Sequence, residues 1–165
     1  MNTAIDTIKQ PRIKLLGIIS DLSVDQLNKV PEGFNNNIIW NLAHMVAAQQ
    51  GICYKRSGLD TKVTNEFFMA YKPDTKPEKF IDEAGVAEIK ELLSTTLDQL
   101  QADYDDKIFV NYPPVVTRYG IELNSIDSAI AFLPFHEGLH ILFRDPSTAC
   151  TAFHFRQIHT KLARE

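Results

Sequence analysis

Apolar residues recur at intervals of three and four along four stretches of the chain, the spacing that lines one face of an α-helix. The first stretch runs from about Thr3 to Ile19, with Ile5, Ile8, Leu15, Leu16 and Ile19 apolar; Pro11 inside it predicts a kink or a late start. The second, Asn35 to Leu59, has Asn36 or Asn37 as N-cap, Lys55 and Arg56 in the last turn and Gly58 as its stop. The third spans about Glu83 to Asp103 and carries Val86, Ile89, Leu92, Leu93, Thr96, Leu97 and Leu100. Asn124 or Ser125 caps the fourth, whose stripe begins Ile126, Ala129, Ile130, Leu133. It is expected to end near Arg144, because Pro146 disfavours helix just ahead of itself.

The connections are longer than simple helix hairpins require. Ser23 and Gln26 fit a capping box on a short helical turn that Pro31-Glu32-Gly33 ends. The segment from Asp60 to Pro77 contains Phe67, Phe68 and Tyr71, too apolar for full solvation, and is expected to pack across the helices. From Asp105 to Leu123, Tyr112-Pro113-Pro114 and Tyr119-Gly120 predict extended chain and a turn. The fold expected is all-α, a four-helix bundle with long crossover connections. One domain covers residues 1–165, with the bundle over about 1–144 and a C-terminal extension over about 145–165 that forms a short extra helix.

Composition narrows the class more than it assigns a role. A formal charge of −4 with no basic block argues against a general nucleic-acid binder. The longest early apolar run, Leu15 to Ile19, is far short of the roughly 20 residues of a membrane span, and no signal peptide is visible, so a cytoplasmic protein is expected. Cys53 and Cys150 form no C-x-x-C and read as reduced thiols.

Chemistry enters where the fourth stripe is extended. Steps of three and four from Leu133 land on His136 and His140, an i, i+4 pair about 40° apart around the helix and turned inward. Buried imidazoles need partners for their ring nitrogens, since an unpaired one costs about 1 to 3 kcal/mol. One divalent metal would serve both. The string HEGLH also matches the H-E-x-x-H of zinc peptidases, which require a third protein ligand. The extended peptidase motif would need a glycine at 143 and a histidine at 146, where the chain has Phe143 and Pro146. The only later glutamate is Glu165, at the end of the chain. The third ligand is therefore sought upstream, where His44 shares a helix face with Trp40, Ala47 and Gly51. Cys53, nine residues on, lies half a turn out of phase.

In the segments WNLAH (Trp40 to His44) and FLPFHEGLH (Phe132 to His140), and in their order and separation, the chain resembles the DinB-like metal-binding four-helix proteins, loosely over residues 1 to 143. The resemblance implies a metal triad of His44, His136 and His140. It also implies a homodimer, although no heptad seam is present, and a small-molecule substrate with a low-molecular-weight thiol as partner, since family members of known activity include thiol S-transferases and a thiol-dependent isomerase. After His140 the chain departs from the family pattern, running through Ile141-Leu142-Phe143 into Arg144-Asp145-Pro146.

Three neutral imidazoles would leave coordination positions for water or substrate, the arrangement of a catalytic metal, and zinc, nickel and iron all accept imidazole. Such an ion could lower the pKa of a bound water or hold a thiol as thiolate. Glu137, about 60° from His140 around the helix, is the candidate catalytic residue, acting on a ligand of the metal or on a ligand histidine; a flanking surface carboxylate is its plainer reading. Asn41 either orients a ligand or sits at the surface, Trp40 packs the core or walls a pocket, and Tyr112 and Tyr119 belong to loop packing or the site mouth. His154 and His159 are expected to be solvated. The functional expectation is a divalent-metal enzyme, a thiol S-transferase or hydrolase acting on a small electrophile. The alternative is a metal-stabilised or metal-free bundle that serves as a binding or stress-response module.

Overall fold

The computed structural model describes residues 3–141. Helix α1 covers Thr3–Ile18, α2 Val24–Asn28, α3 Ile38–Gln49, α4 Asn65–Tyr71, α5 Glu83–Asp105 and α6 Ile126–Ile141. Two short antiparallel strands, β1 (Val115–Val116) and β2 (Glu122–Leu123), pair Val115 with Leu123 and Val116 with Glu122. The fold is all-α with one small hairpin, as the periodicity predicts.

Local chemistry accounts for the boundaries. The Asn37 side chain accepts from the Trp40 backbone N–H at 2.8 Å and so starts α3. At α2, Ser23 and Gln26 form the reciprocal capping box. Asp82 caps α5 by accepting from the Gly85 N–H at 2.9 Å. At the start of α6, Ser125 Oγ accepts from the Ser128 N–H while Ser128 Oγ accepts from the backbone N–H groups of Asn124 and Ser125. Helix α3 continues into a π-helical turn over Gln50–Lys55, and Gly58, at φ +74°, lets the chain leave it. Pro11 neither starts nor ends α1, which runs through it; Pro134 is likewise carried inside α6. Bundle packing overrides the local cost of each proline.

Helix α1 packs on α5 and α6, and α3 packs on the same two. The long helices that follow one another in sequence, α1 with α3 and α5 with α6, therefore face across the diagonals of the bundle. That is the crossover the long connections permit. One cluster of buried residues joins Ile19, Leu27, Trp40, Ala43, Ala47, Phe67, Tyr71, Ile89 and Leu93; a second joins Ile5, Ile8, Cys53, Tyr54, Leu97, Leu100, Ile130 and Leu133. The apolar connection after Asp60 folds into α4, which buries Phe67 and Tyr71, and α4 packs on α3. Among the described residues, no helix is long and apolar enough to cross a membrane. The expected end of α6 near Arg144 and the expected tail helix lie outside the described residues, as do Cys150, His154 and His159.

Candidate metal centre

His44 is buried in the middle of α3, and His136 and His140 stand one turn apart on α6. The two helices bring the three rings together: centroids lie 5.5 Å apart for His44 and His136, 4.7 Å for His44 and His140, and 4.9 Å for His136 and His140. One ligand atom from each ring falls within 4.8 Å of the others, so the three are positioned to hold a metal ion. An ion bound at about 2.1 Å draws its nitrogens to about 3.4 Å apart at tetrahedral angles, so closure asks for side-chain shifts on the ångström scale.

Neighbours set the protonation of these rings. The carbonyl of Tyr71, the last residue of α4, accepts from His44 Nδ1 at 2.7 Å. A carbonyl can only accept, so the proton sits on Nδ1 and the lone pair on Nε2. Asn41 Oδ1 lies 3.0 Å from His140 Nδ1 and fixes the same tautomer there. Asn41 is buried and its Nδ2 donates to the Asn37 carbonyl at 2.7 Å, so its amide is held at both ends. His136 Nδ1 is buried without a hydrogen-bond partner. A cation held between the rings would supply the interaction that this imidazole lacks. Burial lowers the pKa of His44, against the opposing hydrogen bond that its ring donates to the Tyr71 carbonyl. Burial, then the nearby His44 and Arg118 charges, lower His136 to about 3. Both rings are neutral at pH 7, the form that ligates, and the donor set fits a divalent ion.

The walls of the site are aromatic. Trp40 stacks on His44 with centroids 4.7 Å apart and planes within 10°, and it also lines a groove with Ile39, Tyr71, Lys76 and Ile81. Phe132 stands 6.0 Å from His136. Tyr119, in the turn between β1 and β2, contacts Phe135 edge-on at 5.3 Å and Phe132 at 6.3 Å, so the hairpin docks on α6 one turn from His136. Tyr112 takes no such place; its hydroxyl is buried without a partner. Gly51 is filled by a helix contact, because a Cβ there would meet the Phe68 ring at 3.3 Å. Cys53 belongs to the second core cluster, away from the triad, and burial pushes its thiol pKa up.

Glu137 is not a surface carboxylate. It is 2% exposed and paired with Arg12, itself 1% exposed. Arg12 Nε donates to both carboxylate oxygens at 3.0 and 3.2 Å, and Nη2 donates to Oε1. Its Nη1 donates to the Leu93 carbonyl at 2.7 Å and Nη2 also reaches Gln49 Oε1 at 3.3 Å. Gln49 in turn accepts from the Thr96 hydroxyl and donates to the Thr96 carbonyl. One guanidinium on α1 thus ties α3, α5 and α6 together, and its carboxylate partner stands between the two α6 histidines. Burial, the largest influence, raises the Glu137 pKa, and the Arg12 charge opposes it. Reading by residue type overlooks Arg12, although it lies four residues after Ile8, in phase with the apolar stripe of α1. The backbone carbonyl of Tyr71 carries no such signal.

A sequence profile of the DinB superfamily matches residues 8–143. No curated protein matches the chain. The profile takes in all three histidines and most of the chain, and the protein belongs to the DinB superfamily.

Proposed function

We propose that this DinB superfamily member is a cytoplasmic metal-dependent enzyme in which His44, His136 and His140 hold a divalent zinc, nickel or iron ion. Its reaction is the attack of a low-molecular-weight thiol, or of water, on a small electrophile. The observation that carries this reading is the convergence of three imidazoles from two helices, with ligand atoms within 4.8 Å of one another. Three protein ligands, rather than four, is the count of catalytic sites of this kind. When bound, the ion supplies Lewis acidity, which makes a weak nucleophile available near pH 7.

The remaining work falls to the protein. Tyr71 and Asn41 keep a proton on Nδ1 of His44 and His140, so each ring offers Nε2. The Trp40 ring covers one face of His44 and excludes water from it. Glu137 serves as a positioning residue: its oxygens are engaged by Arg12, and that pair anchors α6 between the two ligands it carries. The test is thiol consumption with a panel of small electrophiles, run on metal-loaded protein and on protein stripped by chelator. Turnover that disappears with the metal and returns on its restoration supports the enzyme. Metal-dependent stability without turnover of any thiol or hydrolytic substrate supports the non-catalytic bundle instead.

A further inference from the structure

We infer that Arg118 is a specificity residue of the histidine site, recognising a carboxylate or similar small oxyanion on the molecule handled there. The inference rests on the metal reading above. Arg118 lies at the turn of the hairpin, next to Tyr119, whose ring seats that turn on Phe135 and Phe132 beside His136. On its other side, Arg118 Nη2 lies 3.6 Å from Asp74 Oδ1, in the connection that follows α4. Three residues before Asp74, Tyr71 supplies the carbonyl that holds His44. Arg118 therefore bridges the two segments that flank the triad, one on the α6 side and one on the α4 side.

The charge of Arg118 is available to a ligand. Its side chain is 48% exposed and that of Asp74 85%, and an exposed pair at this separation holds its members weakly. A chain of net charge −4 repels small anions overall, so a local guanidinium beside the site makes the difference for one that must enter it. The planar fork of arginine suits a two-oxygen anion.

The experiment uses the full chain loaded with cobalt(II), whose visible spectrum changes when a thiol enters its coordination sphere. Mercaptoacetate and mercaptoethanol, alike in size and differing in charge, are titrated into the parent protein and into Arg118→Met, Arg118→Lys and Asp74→Asn. Arg118→Met is expected to weaken mercaptoacetate about tenfold and leave mercaptoethanol unchanged, Arg118→Lys to recover part of the loss, and Asp74→Asn to tighten mercaptoacetate by about two- to threefold. Equal losses for both thiols in Arg118→Met, or none for either, overturn this inference alone. A parent protein that takes up no cobalt overturns the metal reading, and this inference with it.

Discussion

The pair of Arg12 and Glu137 makes a quantitative claim about how the site is held. Both groups are almost wholly removed from water, and the guanidinium bonds to groups on three other helices. Removing one partner strands the other charge in the core, a change that typically costs about 3 to 5 kcal/mol, whereas replacing both with apolar groups of similar volume is often neutral or stabilising. The appropriate test is a double-mutant cycle of Arg12→Met and Glu137→Leu on metal-free protein, followed by urea unfolding. With a slope of about 2 kcal/mol per molar urea, each single variant loses roughly 1.5 to 2.5 M in midpoint. The double variant is expected within about 1 M of the parent, so that the coupling energy is at least about 4 kcal/mol. A single variant that loses no more than about 1 kcal/mol would place the pair among exposed ion pairs and refute the reasoning. So would a double variant whose loss equals the sum of the singles.

Acid dependence follows from the depressed histidines. Below about pH 6.5 the unfolded chain protonates His136 while the folded one does not. The stability this ring supports is therefore complete above that pH and falls by roughly 1.4 kcal/mol per unit as pH drops toward about 3. His136→Phe, compared with the parent across pH 4 to 7 by chemical unfolding of metal-free protein, should show a shallower fall; parallel curves would contradict the assignment. Asn41→Ala removes the acceptor that orients His140 and should weaken metal binding about ten- to a hundredfold in a chelator competition, with helical content unchanged. Unaltered affinity would show that the hydrogen bond has no bearing on the site. In a Cys150→Ser protein, Cys53 should resist thiol reagents until the chain is unfolded, because burial keeps its thiol protonated. Rapid labelling of the folded protein would contradict that burial.

The helices and the three histidines were legible because both are written in periodicity. His136 and His140 continue the stripe of Ile126, Ala129, Ile130 and Leu133, and His44 shares a face with Trp40, which in the fold stacks directly on it. Capping residues marked the starts of α2, α3 and α6 for the same local reason. What joins distant segments was harder to see. The bond from His44 to the Tyr71 carbonyl is a backbone contact 27 positions away, and no side chain advertises it. Asn41 meets a histidine of the triad, but that histidine is His140 on another helix, 99 positions along the chain. Glu137 could be read as catalytic or as superficial while its partner was unknown; Arg12, 125 positions away, places it in the core. The connection around Phe67 and Tyr71 reads as apolar in sequence, yet its short helix emerges only once Thr64 is seen to cap it.

The central claim is that three histidines from α3 and α6 act as one metal site, and metal content tests it most directly. Protein purified without a histidine tag is assayed by elemental analysis beside His44→Ala and His136→Ala. The account predicts close to one divalent ion per chain in the parent and loss of that ion in both variants. A parent without metal, or a His44→Ala variant that keeps its ion while His136→Ala loses it, would contradict a site shared between the two helices.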